Sequence, residues 1–287
     1  MTMPSLAAEI EDLWERSQTG AVDATSADES VRETLDVFLA ALETGEIRAA
    51  KPTGPGTVTA HDWSANEWVK RGILLNFALR ETRGRTYGDV TYYDVLPLRG
   101  TADIGDRGTR NTPDGTTIRR GAYIGADAIL MSPSFVNAGA YVGDGTLVDS
   151  CDTVGSCAQI GANVKLGANT LIGGVLEPVE ENPVIVEDDV SIGAGCRVTS
   201  GFIVGEGSVV GENTLLTPRI PVFDLVEEEV VYGFVPEQRR VFTRFVDSAL
   251  GDHELFGEQG AYKPAAVATD LEADTLDATA REELLRE

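Results

Sequence analysis

Branched aliphatic residues recur at every sixth position through the middle of the chain. Ile118, Ile124, Leu130, Val136, Val142, Val148, Val154, Ile160, Leu166 and Ile172 share one unbroken register. It lapses, then returns at Val186, Ile192, Val198, Val204, Val210 and Leu216. Gly follows many of them, as in VGDGTL, LGANTL and IGAGCR. The position two before the aliphatic is mostly small: Ala140, Thr146, Ala158, Thr170, Cys196, Ser208 and Thr214. Six residues suit one short strand and one corner. The aliphatic points inward, the small residue fits the inner corner, and Gly or Asn accepts the backbone angles of the turn. Three sides close a coil of about eighteen residues, and coils stack by parallel pairing. The pattern predicts a hexapeptide-type parallel β-helix, whose left hand departs from the usual right-handed crossover.

The flanks follow other periods. LAAEIEDLWERS places Leu6, Ile10 and Leu13 on one helical stripe. A second helix is expected from Ser26 through Val31, Leu35, Phe38 and Leu42, closing at Gly45. KPTGPGTV reads as a linker. HDWSANEWVKRGILLNF begins helically and runs into an apolar stretch, while YGDVTYYDVLPL is extended. Residues 100–117 are expected to form a polar loop into the prism. From Ile172 to Val186 is fourteen positions, two more than two repeats, so a loop excursion is expected near 175–185. After Leu216 the pattern gives way to a hairpin-like cap, which a solenoid end needs, and then to an acidic, weakly helical tail. The fold class is thus mainly β. A mostly helical, mixed N-terminal domain (1–100) precedes the left-handed parallel β-helix (101–217), and a small β cap with the tail (218–287) follows.

Composition narrows the partners. The net charge is −24, from 47 acidic and 23 basic residues, and the only lysines are Lys51, Lys70, Lys165 and Lys263. Such a field repels nucleic acid and anionic membranes. No apolar run is long enough to span a bilayer and no secretory leader is expected, so the protein is read as cytoplasmic. Three cysteines without a paired framework fit a reducing compartment. Cys151 and Cys157 lie one repeat apart, on neighbouring sides of the prism, so neither a disulfide nor a metal site is expected there.

Enzymes on this scaffold are chiefly acyltransferases or zinc-dependent carbonic anhydrases. Three histidine ligands are needed for the latter, and only His61 and His253 are present, both outside the prism. An acyltransferase here must move protons with a carboxylate rather than a prism histidine.

More specific strings appear within the repeat: MSPSFVNAGAYV, VDSCDTVGSCAQIG, IGGVLEP and NPVIVED. Together they resemble the tetrahydrodipicolinate N-succinyltransferases, and WVKRGILLNF, YYDVLPL and EEVVYGFVP extend the likeness towards both ends. The resemblance implies transfer of succinyl from succinyl-CoA, a co-substrate, to the amine of hydrated, ring-opened tetrahydrodipicolinate. It also implies a homotrimer and no permanently bound cofactor. In the family, the carboxylate of a motif like TMVDTWATVGS binds substrate and assists catalysis; TLVDSCDTVGS puts it at Asp149, a turn position that Gly usually fills in this repeat. A family arginine ahead of the prism falls on Arg110, with Arg107 as the fallback and Arg119 nearby; arginine suits a dicarboxylate acceptor through bidentate pairing. CoA contacts are assigned by the same likeness to Gly173, Gly174 and Arg219.

Two departures stand out. The family's second acidic stretch, like ARSEVVEG, is AGCRVTSG here, which places Arg197 and Ser200 at the acidic positions. Asp152 occupies a small inward position and is expected to turn towards a subunit boundary. A related acyltransferase using acetyl-CoA, and a non-catalytic hexapeptide scaffold, remain the alternatives. The charge points to adaptation to high salt, where screening removes self-repulsion. Thermal unfolding followed from dilute buffer to about 1 M KCl should therefore show the midpoint rising with salt; a flat or falling midpoint would contradict this.

Overall fold

The computed structural model describes residues 2–53, 63–96, 99–113 and 115–272. His61 and the expected helical tail from 273 onwards lie outside the described residues. The chain folds as a left-handed parallel β-helix with a helical N-terminal part packed on one corner.

The aliphatic register builds three flat faces. The first carries Thr117–Ile118, Phe135–Val136, Thr153–Val154, Leu171–Ile172, Arg197–Val198 and Leu215–Leu216. The second runs from Tyr123–Ile124 to Phe234–Val235, and the third from Arg110–Asn111 through Leu147–Val148 to Val209–Val210 and beyond. Within a face, strands pair in parallel eighteen positions apart, as Val142 with Ile160 and Val148 with Leu166. One residue of each two-residue strand points outward. The other, except in the first strand Arg110–Asn111, is an aliphatic that fills the interior, and Val142, Val148, Val154, Ile160, Leu166 and Ile172 are wholly buried. The small residues two positions earlier sit inside the corners, as expected.

The turn angles fall elsewhere than the sequence suggests. Positive φ occurs two residues beyond the glycine that follows the strand, at Gly145, Asn163 and Asn169 among others. The glycine next to the strand is there for space: a Cβ on Gly143 would lie 2.4 Å from the backbone of Gly161 in the next coil.

Three features of the prism correct the expected boundaries. The loop expected over 100–117 holds a short helix, Ala102–Asp106, and the first prism strand, Arg110–Asn111, which pairs with Ile129–Leu130. The excursion adds eight residues to a single side, rather than two beyond two repeats, because Gln159 pairs directly with Ile185. The coil also continues past Leu216: after an insertion containing the hairpin Val222–Asp224/Glu229–Val231, Val235 stacks on Val204 and Val241 on Val210. The cap proper is that insertion together with the antiparallel pair Arg239–Asp247 and Tyr262–Asp270.

The N-terminal part contains α1 (Met3–Gln18), α2 (Glu29–Glu43) and α3 (Glu67–Ala78). Asp28, rather than Ser26, caps α2 by accepting the Val31 N–H. Leu6, Ile10, Leu35, Phe38, Leu39 and Ile73 form its core, which also takes in Ala138 and Cys157 from the prism corner between the first and second faces. Ion pairing adds to the seam, where Glu43 accepts both Arg120 Nε at 2.6 Å and the Gly121 N–H at 2.8 Å. Lys70 is completely buried, and its Nζ donates to the carbonyls of Pro178 at 2.9 Å and Glu181 at 2.7 Å. A buried ammonium is tolerated only when so paired, and α3 thereby ties down the excursion. Asn182 Nδ2 adds a bond to the Trp63 carbonyl.

Candidate functional site

Asp149 sits at the corner where the third face turns into the first, directly after Leu147–Val148. Its carboxylate is half-buried. Oδ1 accepts the Ser150 N–H at 2.6 Å, and among the described residues no hydrogen bond engages Oδ2. That oxygen is free to meet a ligand. Cys151 then takes positive φ and is exposed.

Asp152 turns into the prism and does not reach a subunit boundary; it is 1% exposed. Both oxygens are used. Oδ2 accepts the Asp149 N–H and Oδ1 the Thr170 N–H, each at 2.7 Å. Burial pushes the carboxyl up to about 8, outweighing the two amide donors that act to lower it. At neutral pH Asp152 is therefore largely a protonated acid beside a second carboxyl group. Its role was hidden in the sequence, but its signal was the break in the small-residue column.

The expected arginines separate. Arg110 lies on the outer side of the third face and is exposed. It stacks with Ile129, which in turn stacks with Leu147. Two inter-strand steps, about 10 Å, thus separate Arg110 from the strand that precedes Asp149. Arg107, the fallback, instead reaches Asp103 at 2.9 Å and lies over the Tyr123 ring. Arg119 belongs to the far end of the first face. Its guanidinium pairs with Asp94, bonds Asn137 at 3.3 Å and covers Phe77. It lines a cavity of about 450 Å³ with Arg85, Tyr87, Tyr92, Tyr93 and Phe135, under the hairpin Arg83–Tyr87/Val90–Asp94. The chain brings Arg110 and Asp149 to one edge and leaves Arg119 on another.

Gly173 and Gly174 form the stem of the excursion, so close to the coil before it that a Cβ on Gly174 would lie 2.5 Å from Ser156 N. Arg219 is exposed on the wall of a shallow cavity of about 390 Å³, with Glu181, Asn182, Ser200, Gly201 and Pro218. The excursion that Lys70 secures is therefore the shared neighbour of all three residues assigned to CoA. Sequence reasoning passed over Lys70, although a lysine in a chain with four of them was a signal. Arg197 projects outward from the first face, between Leu171 and Leu215, and is exposed. No thiol is poised for attack inside the prism: burial raises Cys157 to about 12 and Cys196 to about 11.

Comparison with known proteins agrees with this architecture. Residues 5–79 match the profile described as "Tetrahydrodipicolinate N-succinyltransferase N-terminal" and residues 183–218 that described as "Hexapeptide repeat of succinyl-transferase". The 2,3,4,5-tetrahydropyridine-2,6-dicarboxylate N-succinyltransferase of Dechloromonas aromatica is 36% identical, covering 100% of both chains. Its namesake from Bordetella petrii is 38% identical over 96% of this chain and 97% of its own, and that from a Methylobacterium species 39% identical over the whole of both. A solved structure of a candidate 2,3,4,5-tetrahydropyridine-2-carboxylate N-succinyltransferase from Campylobacter jejuni superposes with a TM-score of 0.52 at 16% identity, covering 86% of this chain and 64% of that one. It has the same fold.

The Asp152 environment has a consequence for stability. In the unfolded chain this carboxyl ionises near 3.8, whereas in the folded chain it holds its proton to about 8. Its contribution to stability is full below about 4 and is lost as pH rises through about 8. Denaturant titrations at a series of pH values should show wild type losing ground to Asp152→Asn across that window, with the difference level above it. A pH-independent difference would refute the assignment.

Proposed function

The chain belongs to the tetrahydrodipicolinate N-succinyltransferase family, and from that premise we propose that it transfers the succinyl group of succinyl-CoA to the amine of ring-opened tetrahydrodipicolinate. The products are N-succinyl-2-amino-6-oxopimelate and CoA, an acyl transfer within diaminopimelate and lysine biosynthesis. The observation that carries the reading is full-length identity of 36–39% to relatives of that name.

The chemistry asks for three things. Water adds across the cyclic imine and the ring opens to a ketone and an amine, and the amine must lose a proton as it attacks the thioester carbonyl. The C–N bond forms as the C–S bond breaks, and CoA leaves as the thiol. Asp149 Oδ2 is assigned as the acceptor of that proton, and the free oxygen at an outward corner supports the role. Arg110 receives an acceptor carboxylate; its place on the same edge, about two strand spacings along, supports that. Arg119 serves the other carboxylate from a different edge. The split between edges fits a site completed by a second protomer in a homotrimer. The donor is assigned to the later coils beside Gly173 and Gly174, whose missing side chains let the excursion stem pack against Thr199 and Ser156, with Arg219 meeting a phosphate.

Arg197 stands where the family's second acidic stretch has a carboxylate, so the reading assigns proton transfer to Asp149 and to no residue of that stretch. No permanently bound cofactor is invoked. Among the described residues no helix is long and apolar enough to cross a membrane, and a cytoplasmic location fits the substrates.

Thiol release measured with succinyl-CoA and acetyl-CoA, with and without acceptor, tests the reading. Succinyl-CoA should be consumed only with acceptor and acetyl-CoA poorly. Asp149→Ala should lower kcat by about 10²–10⁴-fold with the oligomer mass unchanged. Equal use of acetyl-CoA, or a variant as fast as wild type, would overturn the donor assignment or the base assignment respectively.

A further inference from the structure

The corner that carries Asp149 is wired unlike its neighbours. At the same corner in other coils, Met131, Gly167, Gly193 and Gly211 occupy the position of Asp149. Their amides donate to carbonyl oxygens of the next coil, those of Val148, Ile192, Val210 and Val241. The Asp149 amide instead donates to Asp152 Oδ2. Residues in the column of Asp152 also differ in sense. Thr170 and Thr214 turn their hydroxyls onto the carbonyls of Gly167 and Gly211, each three residues back, and Cys196 turns its thiol onto Gly211. Asp152 reverses that polarity: it accepts from the residue three positions back and from Thr170 in the next coil.

Asp152 has no need to be there for folding. A threonine fits the same position one coil later and in the last full coil. Burying a carboxyl group costs stability that a small residue would not. What the carboxyl group gains is control over the backbone of Asp149, whose amide leaves the inter-coil ladder. The Asp149 carboxylate is in turn pinned through Oδ1 to the Ser150 amide. Both ends of the short Asp149 side chain are thereby fixed, and its direction out of the corner is set.

We propose that Asp152 is a positioning residue for the transfer reaction, aiming the Asp149 carboxylate by holding the Asp149 amide out of the inter-coil ladder. The inference rests on the reading that Asp149 meets the acceptor. Asp152 itself is sealed in the prism and touches neither substrate.

Full-length Asp152→Thr, Asp152→Asn and Asp149→Ala variants separate the possibilities, with steady-state thiol release and thermal unfolding measured on each. Asp152→Thr restores the wiring of the neighbouring coils. It should unfold at or above the wild-type temperature, yet lose about 10- to 100-fold in kcat, the scale expected of a misdirected reactive group. KM for succinyl-CoA should stay unchanged. Asp152→Asn keeps one acceptor oxygen and should recover part of the lost kcat. A purely structural residue would lose stability and activity together, so that joint loss in both Asp152 variants overturns the proposal. So does an Asp152→Thr enzyme within about twofold of wild-type kcat when Asp149→Ala is inactive. If Asp149→Ala turns over normally, the base assignment fails and the positioning role falls with it.

Discussion

Backbone pairing between successive coils is the constraint on which the molecule depends. Every two-residue strand is too short to hold itself, and its amides and carbonyls are satisfied only by the coils before and after. That ladder fixes the eighteen-residue register, and the register decides which side chains face inward. Val148 and Val154 must fill the interior, so the corner between them must carry Asp149 outward. A chemical group placed on such a corner has little freedom, because any shift of the backbone breaks pairing on two sides.

The prism was legible because a repeat of six with a branched aliphatic leaves one way to bury its apolar face. Both helices at the start were equally plain from Leu6, Ile10 and Leu13 and from Leu35 and Phe38. What escaped did so for physical reasons. The first prism strand has Asn111 where an aliphatic was sought, since the end of a solenoid borders solvent. Val235 and Val241 keep the spacing of six with each other, but the insertion before them displaces both from the earlier register. The eight inserted residues amount to one side of six and two more, so spacing alone cannot tell the excursion from a further side.

Legibility of the site was uneven. Asp149 could be singled out as a charged residue at a turn in a specific string. The hydrogen bond from its amide to Asp152 could not, because the sequence reveals an anomaly at Asp152 without its direction: the same carboxyl could have faced a boundary or the interior. Arg110 and Arg119 lie nine positions apart in sequence yet on different edges of the prism, since nine is one and a half sides. Lys70 acts over more than a hundred positions of sequence, through two backbone carbonyls that no pattern advertises. Long-range polar contacts of this kind arise only once the helical part has docked on the corner at Ala138 and Cys157.

The central claim is that the corner at Asp149 is where the acceptor amine meets the thioester. A crystal structure of the protein with a non-hydrolysable succinyl-CoA analogue and an acceptor analogue bound together tests it most directly. The acceptor nitrogen should lie about 2.6–3.2 Å from the Asp149 carboxylate, or one water away, with the thioester beside it and a second protomer closing the site. An acceptor seated instead in the tyrosine-lined cavity under the 83–94 hairpin, with Asp149 facing only solvent, would contradict it.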